Sequence, residues 1–280
     1  MTISDNRQLP LQRIIDVMAK LRDPERGCPW DIQQTWKSLL AYTLEEAYEV
    51  ADVIENTDAS SLPDELGDLL FQVVFYSRIA EEQRLFNLED VINRLCDKLE
   101  HRHPHVFADA NYSEDELEQA WHQSKADERK EKQQHSALDD IPLALPALSR
   151  AQKLQRRASN EGFDWKHYQA VFDKVDEEIL ELKQALKNNT DASQSEKSDN
   201  IQEEVGDLLF TVVNLARHLD MDAETCLRQA SAKFENRFRK VETHYQEQNR
   251  QIRDIQEPEL EALWELIKQE SAKHTARKQE

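Results

Sequence analysis

A chain of 280 residues can hold one large core or two ordinary domains, but four glycines and eight prolines leave little material for tight β-turns. Its formal charge of −20, from 56 acidic against 36 basic residues, sets up a field that repels polynucleotide backbones and anionic membrane surfaces. A nucleic-acid polymer and a membrane are therefore not expected partners, whereas a small polyphosphate bridged by divalent cations is compatible with that charge.

In chain order, Met1 to Arg22 alternates polar and apolar residues at helical spacing, without the unbroken apolar run of a signal peptide or a membrane span. Three cysteines, Cys28, Cys96 and Cys226, form neither an even framework nor a Cys-x-x-Cys pair, so a reducing compartment, the cytoplasm, is expected. After Gly27 and Trp30 comes an amphipathic helical pattern carrying Glu46 and Glu49, three apart and hence on one face. A short connection near Asn56 to Pro63 leads to a second helix with Glu65 and Asp68 at the same spacing. Two helices so joined are expected to pack antiparallel and to bring the four carboxylates together. His101, His103 and His105 then form a tight histidine cluster, read as a helix end or domain junction rather than a metal site. Residues 124–140 are charged and lack an apolar stripe, which predicts an exposed connector between a first domain, 1–123, and a second, 141–280.

The second part repeats the first. ELGDLLFQVVFYSR from Glu65 and EVGDLLFTVVNLAR from Glu204 agree at nine of fourteen positions. Gly27 and Trp30 match Gly162 and Trp165, Lys98 and Arg102 match Lys233 and Arg237, and Trp121 matches Trp264. Glu46 and Glu49 correspond to Glu178 and Glu181, and Glu65 and Asp68 to Glu204 and Asp207. The polar stretch Asn188 to Asn200 carries seven residues more than its counterpart and is expected to be a loop, where insertions cost little. The fold class that follows is all-α, two tandem repeats of a helical bundle unit.

Four facing carboxylates repel one another unless cations neutralise them, and hard oxygen ligands select Mg²⁺, Mn²⁺ or Ca²⁺. The lack of histidine in the set argues against a di-iron bundle. A solvated acidic face is the ordinary reading of one such run, but such a face exchanges Glu, Lys and Gln freely, and here the same acids stand at the same spacing in both copies. Gly67 and Gly206, inside these helices at a cost of about 1 kcal/mol each, point to close approach of a ligand or of another backbone.

The pattern EExxE, then ExxD, resembles the signature of the MazG family of nucleotide pyrophosphohydrolases. CPWDIQQT from Cys28, YTLEEAYEV from Tyr42, KLEHRHPHVFAD from Lys98, HSALDDIP from His135 and GFDW from Gly162 are similar to its two-domain members. The resemblance implies hydrolysis of nucleoside triphosphates to the monophosphate and pyrophosphate by a homodimer whose helices complete each other's bundles. It also implies that the second unit carries most of the activity. On that reading Glu178, Glu181, Glu204 and Asp207 bind Mg²⁺, for which Mn²⁺ can substitute, and Glu177 or Glu203 is the base or water-positioning group. Lys233 and Arg237, four apart on one helical face, and Trp264 are the matching nucleotide contacts. Lys174, one turn before Glu178 where the first copy has Tyr42, is placed to steady phosphate oxygens. Glu46, Glu49, Glu65 and Asp68 form a second, less active metal site. Asn200, four before Glu204, stands where some relatives carry a lysine, so the resemblance does not carry that nucleotide contact over to this chain. The competing reading is a non-catalytic helical scaffold or regulatory module that binds metal or nucleotide without turnover.

Overall fold

The computed structural model describes residues 9–56, 59–108, 113, 116–117, 136–188 and 194–277, and among them there is no strand. The chain divides into two compact units, Met1–Lys125 and Ala126–Glu280. Most of the expected connector, 124–135, lies outside the described residues, as does Trp121. No helix of the described residues is long and apolar enough to cross a membrane.

In the first unit α1 (Leu9–Leu21) and the short α2 (Pro29–Gln33) precede two long helices, α3 (Trp36–Glu55) and α4 (Leu62–Glu82). Then come α5 (Leu88–Arg102) and the single turn α6 (Pro104–Phe107). Local chemistry sets where the helices start. Thr35 and Ser38 form a reciprocal capping box ahead of α3, with bonds of 3.2 and 2.9 Å. Asn87 and Asp90 do the same for α5 at 3.0 and 2.9 Å. Pro63 enters the first turn of α4, where its missing N–H costs nothing, and Asp64 and Glu65 lie at the positive end of that helix.

Met18, Leu39, Val74, Phe75, Ile79 and Leu88 make the core of this unit, drawn from α1, α3, α4 and the start of α5. Arg22 locks its edge. The guanidinium donates to both carboxylate oxygens of Glu82 on α4, at 2.6 Å from Nη2 and 3.0 Å from Nε, and Nη1 donates to the Asp31 carbonyl of α2 at 2.5 Å. It also lies 5.4 Å from the centre of the Phe75 ring. The turn between α1 and α2 is tight enough to require glycine: a Cβ on Gly27 would stand 2.4 Å from the Leu21 carbonyl oxygen and 2.5 Å from that of Asp23.

The second unit consists of α7 (Ala147–Asn160), α8 (Tyr168–Asn188), α9 (Gln194–His218), α10 (Ala223–Glu247), a 3₁₀ turn at Ile252–Asp254 and α11 (Glu257–Arg277). Val241, Tyr245, Ile255 and Ile267 form a core between α10 and α11. Gln152 of α7 pins the turn before α10, donating to the Met221 carbonyl at 2.8 Å and accepting from the Ala223 N–H at 2.9 Å. The loop expected over 188–200 is shorter than the sequence suggests, because α9 already begins at Gln194. A polar run of Gln, Ser, Glu and Lys has no apolar stripe to announce a helix, yet it can extend one whose packed part lies further along.

Burial pushes the Glu82 carboxyl up, but the hydrogen bonds and charge of Arg22, followed by those of Arg78, outweigh it and hold the group below its ordinary value of 4.5. Its contribution is therefore present above pH 4.5 and lost as the pH falls through the depressed value. Removing the partner strands the buried Arg22, so Glu82→Gln is expected to destabilise the first unit by about 2 kcal/mol, reduced from a fully buried pair by the partial exposure of Glu82. Urea denaturation at pH 7 checks this, and the gap between variant and wild type should narrow when the titration is repeated near pH 3.

Candidate carboxylate sites

Each acid pair is placed by helix geometry. In the first unit α3 and α4 run antiparallel, as the pairing of their residues shows: Glu49 acts on Glu65, Glu46 on Asp68, and Thr43 and Tyr76 share a 2.7 Å hydroxyl hydrogen bond. Glu46, Glu49 and Glu65 each bring a carboxylate oxygen within 4.8 Å of the others. Glu178, Glu181 and Glu204 do the same in the second unit, from α8 and α9. These two triads are the metal-competent groups found among the described residues. Asp68 and Asp207 stand outside the triads but close enough to raise the neighbouring glutamates electrostatically.

The charge builds up as four facing carboxylates require. Burial is the first cause raising Glu46, followed by Asp68 and Glu49. Glu65 is raised by desolvation and then by Glu49 and Asp68, and Glu204 by desolvation and then by Glu181, Glu178 and Asp207. Desolvation together with like charge makes these clusters favourable places for positive charge, and an all-oxygen donor set fits a hard divalent cation.

The second site carries a cation of its own. Lys174 Nζ lies 2.9 Å from Glu178 Oε1 and 3.0 Å from Glu177 Oε1, and these bonds, the one to Glu178 foremost, raise its pKa. Glu178 itself is only 5% exposed, so the lysine reaches a carboxylate that water scarcely does. At the equivalent place in the first unit the Tyr42 ring packs edge-on against Trp30, with centroids 5.7 Å apart. Glu177 thus serves the lysine, and Glu203 is exposed and adds to the charge on Glu204.

Lys233, Arg237 and Trp264 are not among the partners of this cluster within the described residues. Lys233 is exposed on α10, and Arg237 of the same helix keeps a buried Nε without a hydrogen-bond partner. Trp264 on α11 packs against the α10–α11 core with its ring 5.4 Å from that of Phe234. Phe234 and Phe238 are an addition that the sequence reading passed over: the rings stack at 6.0 Å and 12°, both exposed. The first copy has Leu99 and His103 at these positions, and that change from aliphatic and imidazole to paired aromatic rings was the available signal. His103 closes α5, its Nδ1 2.7 Å from the Leu99 carbonyl oxygen, and the histidine cluster is a helix end. Another network passed over holds the loop before α8, where Asp164 bridges Arg217 and His218 at the end of α9. The close approach expected at Gly67 and Gly206 is not met within the described chain: beyond the adjoining residues and the helix's own backbone, a Cβ at either would have no atom within 4 Å.

Because Glu46, Glu65 and Glu204 are raised, the fold binds protons at these groups more readily than the unfolded chain, and the stability they contribute is present below pH 4.5 and declines as the pH rises through the raised values. A divalent cation reverses that decline. Thermal melts with and without Mg²⁺ are expected to show a gain in Tm at pH 7 that shrinks toward zero near pH 4; a gain independent of pH would place the cation elsewhere.

Comparison with known proteins gives a consistent set of relatives. The family model described as "MazG nucleotide pyrophosphohydrolase domain" matches twice, over residues 34–107 and 166–242, one copy for each triad. A nucleoside triphosphate pyrophosphohydrolase of Escherichia coli (strain K12) is 47% identical over 93% of this chain and 97% of that protein. A nucleoside triphosphate pyrophosphohydrolase/pyrophosphatase MazG of Thermotoga maritima is 41% identical over 92% of this chain and 95% of its own length. The crystal structure of a mazG-related protein from Thermotoga maritima aligns with a TM-score of 0.36 at 28% identity, over 41% of this chain and 98% of that one.

Proposed function

Because the chain belongs to the MazG nucleotide pyrophosphohydrolase family, we propose that it hydrolyses nucleoside triphosphates to the monophosphate and pyrophosphate, chiefly in its second unit. The observation that carries the site assignment is the convergence of Glu178, Glu181 and Glu204 within 4.8 Å, inside the second matched segment. We assign these three and Asp207 to a divalent cation, Mg²⁺ with Mn²⁺ as substitute. Bound there, the cation would supply Lewis-acid polarisation of phosphate oxygens and a more acidic water.

The residues themselves supply the rest. Water attacks the α-phosphorus, the bond to the β-phosphate breaks and pyrophosphate departs, so the site must hold three phosphates against its own acidic surroundings. Lys174 is the cation nearest the acids and can turn from Glu178 toward phosphate oxygens. Lys233 and Arg237 add positive charge on one face of α10, and the unpartnered Arg237 Nε is a donor in want of an acceptor. Trp264, with Phe234 beside it, offers a flat apolar face for the nucleoside. Glu177 and Glu203 flank the triad as candidates to position or deprotonate the water. The first-unit set, Glu46, Glu49, Glu65 and Asp68, is assigned as a second and less active metal site, since it lacks a lysine at the position of Tyr42.

We further assign the working form as a homodimer. Leu66, Leu70 and Val73 form an exposed apolar stripe on α4, and the same positions of α9, Val205, Leu209 and Val212, are equally exposed. Each is 39–55% accessible, and a stripe kept apolar in both copies fits burial against another bundle. The open space around Gly67 and Gly206 on these helices lets a second backbone come close. Domain limits of 1–123 and 141–280, with 124–140 as the connector, and a place in the cytoplasm beside its substrates complete the proposal.

The test is separation of pyrophosphate from orthophosphate after incubation with each NTP and dNTP. Monophosphate and pyrophosphate should appear with Mg²⁺ and vanish with EDTA. Glu178→Gln and Asp207→Asn are each expected to reduce turnover by at least about 100-fold at unchanged helix content, whereas Glu46→Gln should keep most of it. Loss in Glu46→Gln with retention in the other two would move the activity to the first unit; no turnover with any nucleotide would favour a scaffold.

A further inference from the structure

We propose that Lys174 is a built-in counter-ion of the second carboxylate site, so that the second unit takes up its divalent cation together with a nucleotide while the first unit takes one up alone. This rests on reading both triads as divalent-cation sites, and adds to that reading an order of binding and a division of labour between two units of common origin.

The two sites share their acids and differ in what stands beside them. In the second, the ammonium of Lys174 sits 2.9 Å from one oxygen of Glu178, the least exposed member of the triad, and 3.0 Å from Glu177. A dication entering that triad must displace the ammonium or share the space with it. One elementary charge next to a dication changes its affinity by about tenfold even in a water-like dielectric. In the first unit, Tyr42 holds the same place and is turned against Trp30, and among the described residues no salt bridge reaches Glu46, Glu49 or Glu65. The charged groups that act on Glu46 and Glu65 are all acids, which add to desolvation in raising both, so a dication there relieves repulsion without displacing a resident cation.

A triphosphate changes the balance in the second site alone. Its anionic oxygens give Lys174 a new partner within the swing of a four-carbon stem, and release of Glu178 opens the triad to the cation. Linkage makes the effect reciprocal: the nucleotide tightens cation binding by the same factor that the cation tightens nucleotide binding. The lysine thereby keeps Glu178 paired and weakens cation binding at the second triad until substrate arrives, while the first triad works as a standing cation site.

The experiment is titration of the full-length, metal-stripped chain with Mn²⁺, following free Mn²⁺ by electron paramagnetic resonance. It is run alone and with a nucleoside triphosphate whose α–β bridge is a methylene. Wild type should show a tight class lost in Glu49→Gln and a weaker class lost in Glu181→Gln, the latter tightened about tenfold by the analogue. Lys174→Met should tighten the weaker class about tenfold without nucleotide and leave the analogue little to add, while Lys174→Arg behaves as wild type. Lys174→Gln is carried in parallel, and helix content by circular dichroism confirms the fold of each variant. Unchanged or weaker Mn²⁺ binding in both neutral variants would overturn the inference, since a lysine that merely orients Glu178 predicts that result. A wild type that hydrolyses nucleotides yet gives that outcome loses only the counter-ion role; a chain that binds Mn²⁺ at neither triad loses the reading beneath it.

Discussion

Repulsion among glutamates that two antiparallel helices force together is the constraint on which the rest of this protein depends. In each unit one helix contributes a pair of acids a turn apart and the next contributes a third at the same level, so that three carboxylate oxygens lie within 4.8 Å. Such an arrangement opposes folding unless something else holds the helices in place and something positive eventually fills the gap. Apolar packing and polar locks do the first: the Met18–Phe75 core with the Arg22–Glu82 bridge in one unit, and Gln152, Asp164 and the α10–α11 core in the other. A divalent cation answers the second need, and the all-oxygen donor set selects for a hard one.

The two units reach the same cluster with different supports, which is what duplication followed by divergence leaves behind. Gly27 and Gly162 occupy matched positions but for different physical reasons. The former has backbone oxygens where a Cβ would stand, whereas the latter has open space and a φ of +85° that side chains rarely adopt. The acids are the same in both copies while their surroundings differ: Lys174 stands where the first copy has Tyr42, and Phe234 and Phe238 where it has Leu99 and His103. At both places the second copy has groups suited to a nucleotide, an ammonium for phosphate and flat rings for a base. A net charge of −20 makes those few local cations more consequential, since the long-range field of the chain works against a polyanionic substrate.

The apolar stripes on α4 and α9 follow from the same architecture. An isolated pair of long helices cannot bury both of its faces, and the side turned away from the local core keeps its leucines and valines in water unless another bundle covers them. Gly67 and Gly206 belong with those stripes, for no atom of the described chain crowds them. The apolar stripes and the carboxylate sites therefore share helices, so whatever packs on one face of α9 is positioned to influence the acids on the other.

Much of this was legible in the residues. Helical period, the antiparallel pairing of consecutive helices, the duplication and the spacing of Glu178 with Glu181 and of Glu204 with Asp207 are local or near-local properties, set by 3.6 residues per turn and by the length of a connection. The polar run before Glu204 misled because helix extension needs no apolar stripe to betray it, and α9 starts inside the stretch that reads as loop. The approach of Lys174 to Glu178, four residues on in the same helix, is local too. Tertiary structure alone decided which acids of different helices converge, leaving Asp68 and Asp207 at the margin, while Lys233, Arg237 and Trp264 stay with α10 and α11. Spacing along a helix tells which face a side chain leaves from; how far it stands from a side chain of another helix depends on interhelical packing and rotamer choice, which no local pattern encodes.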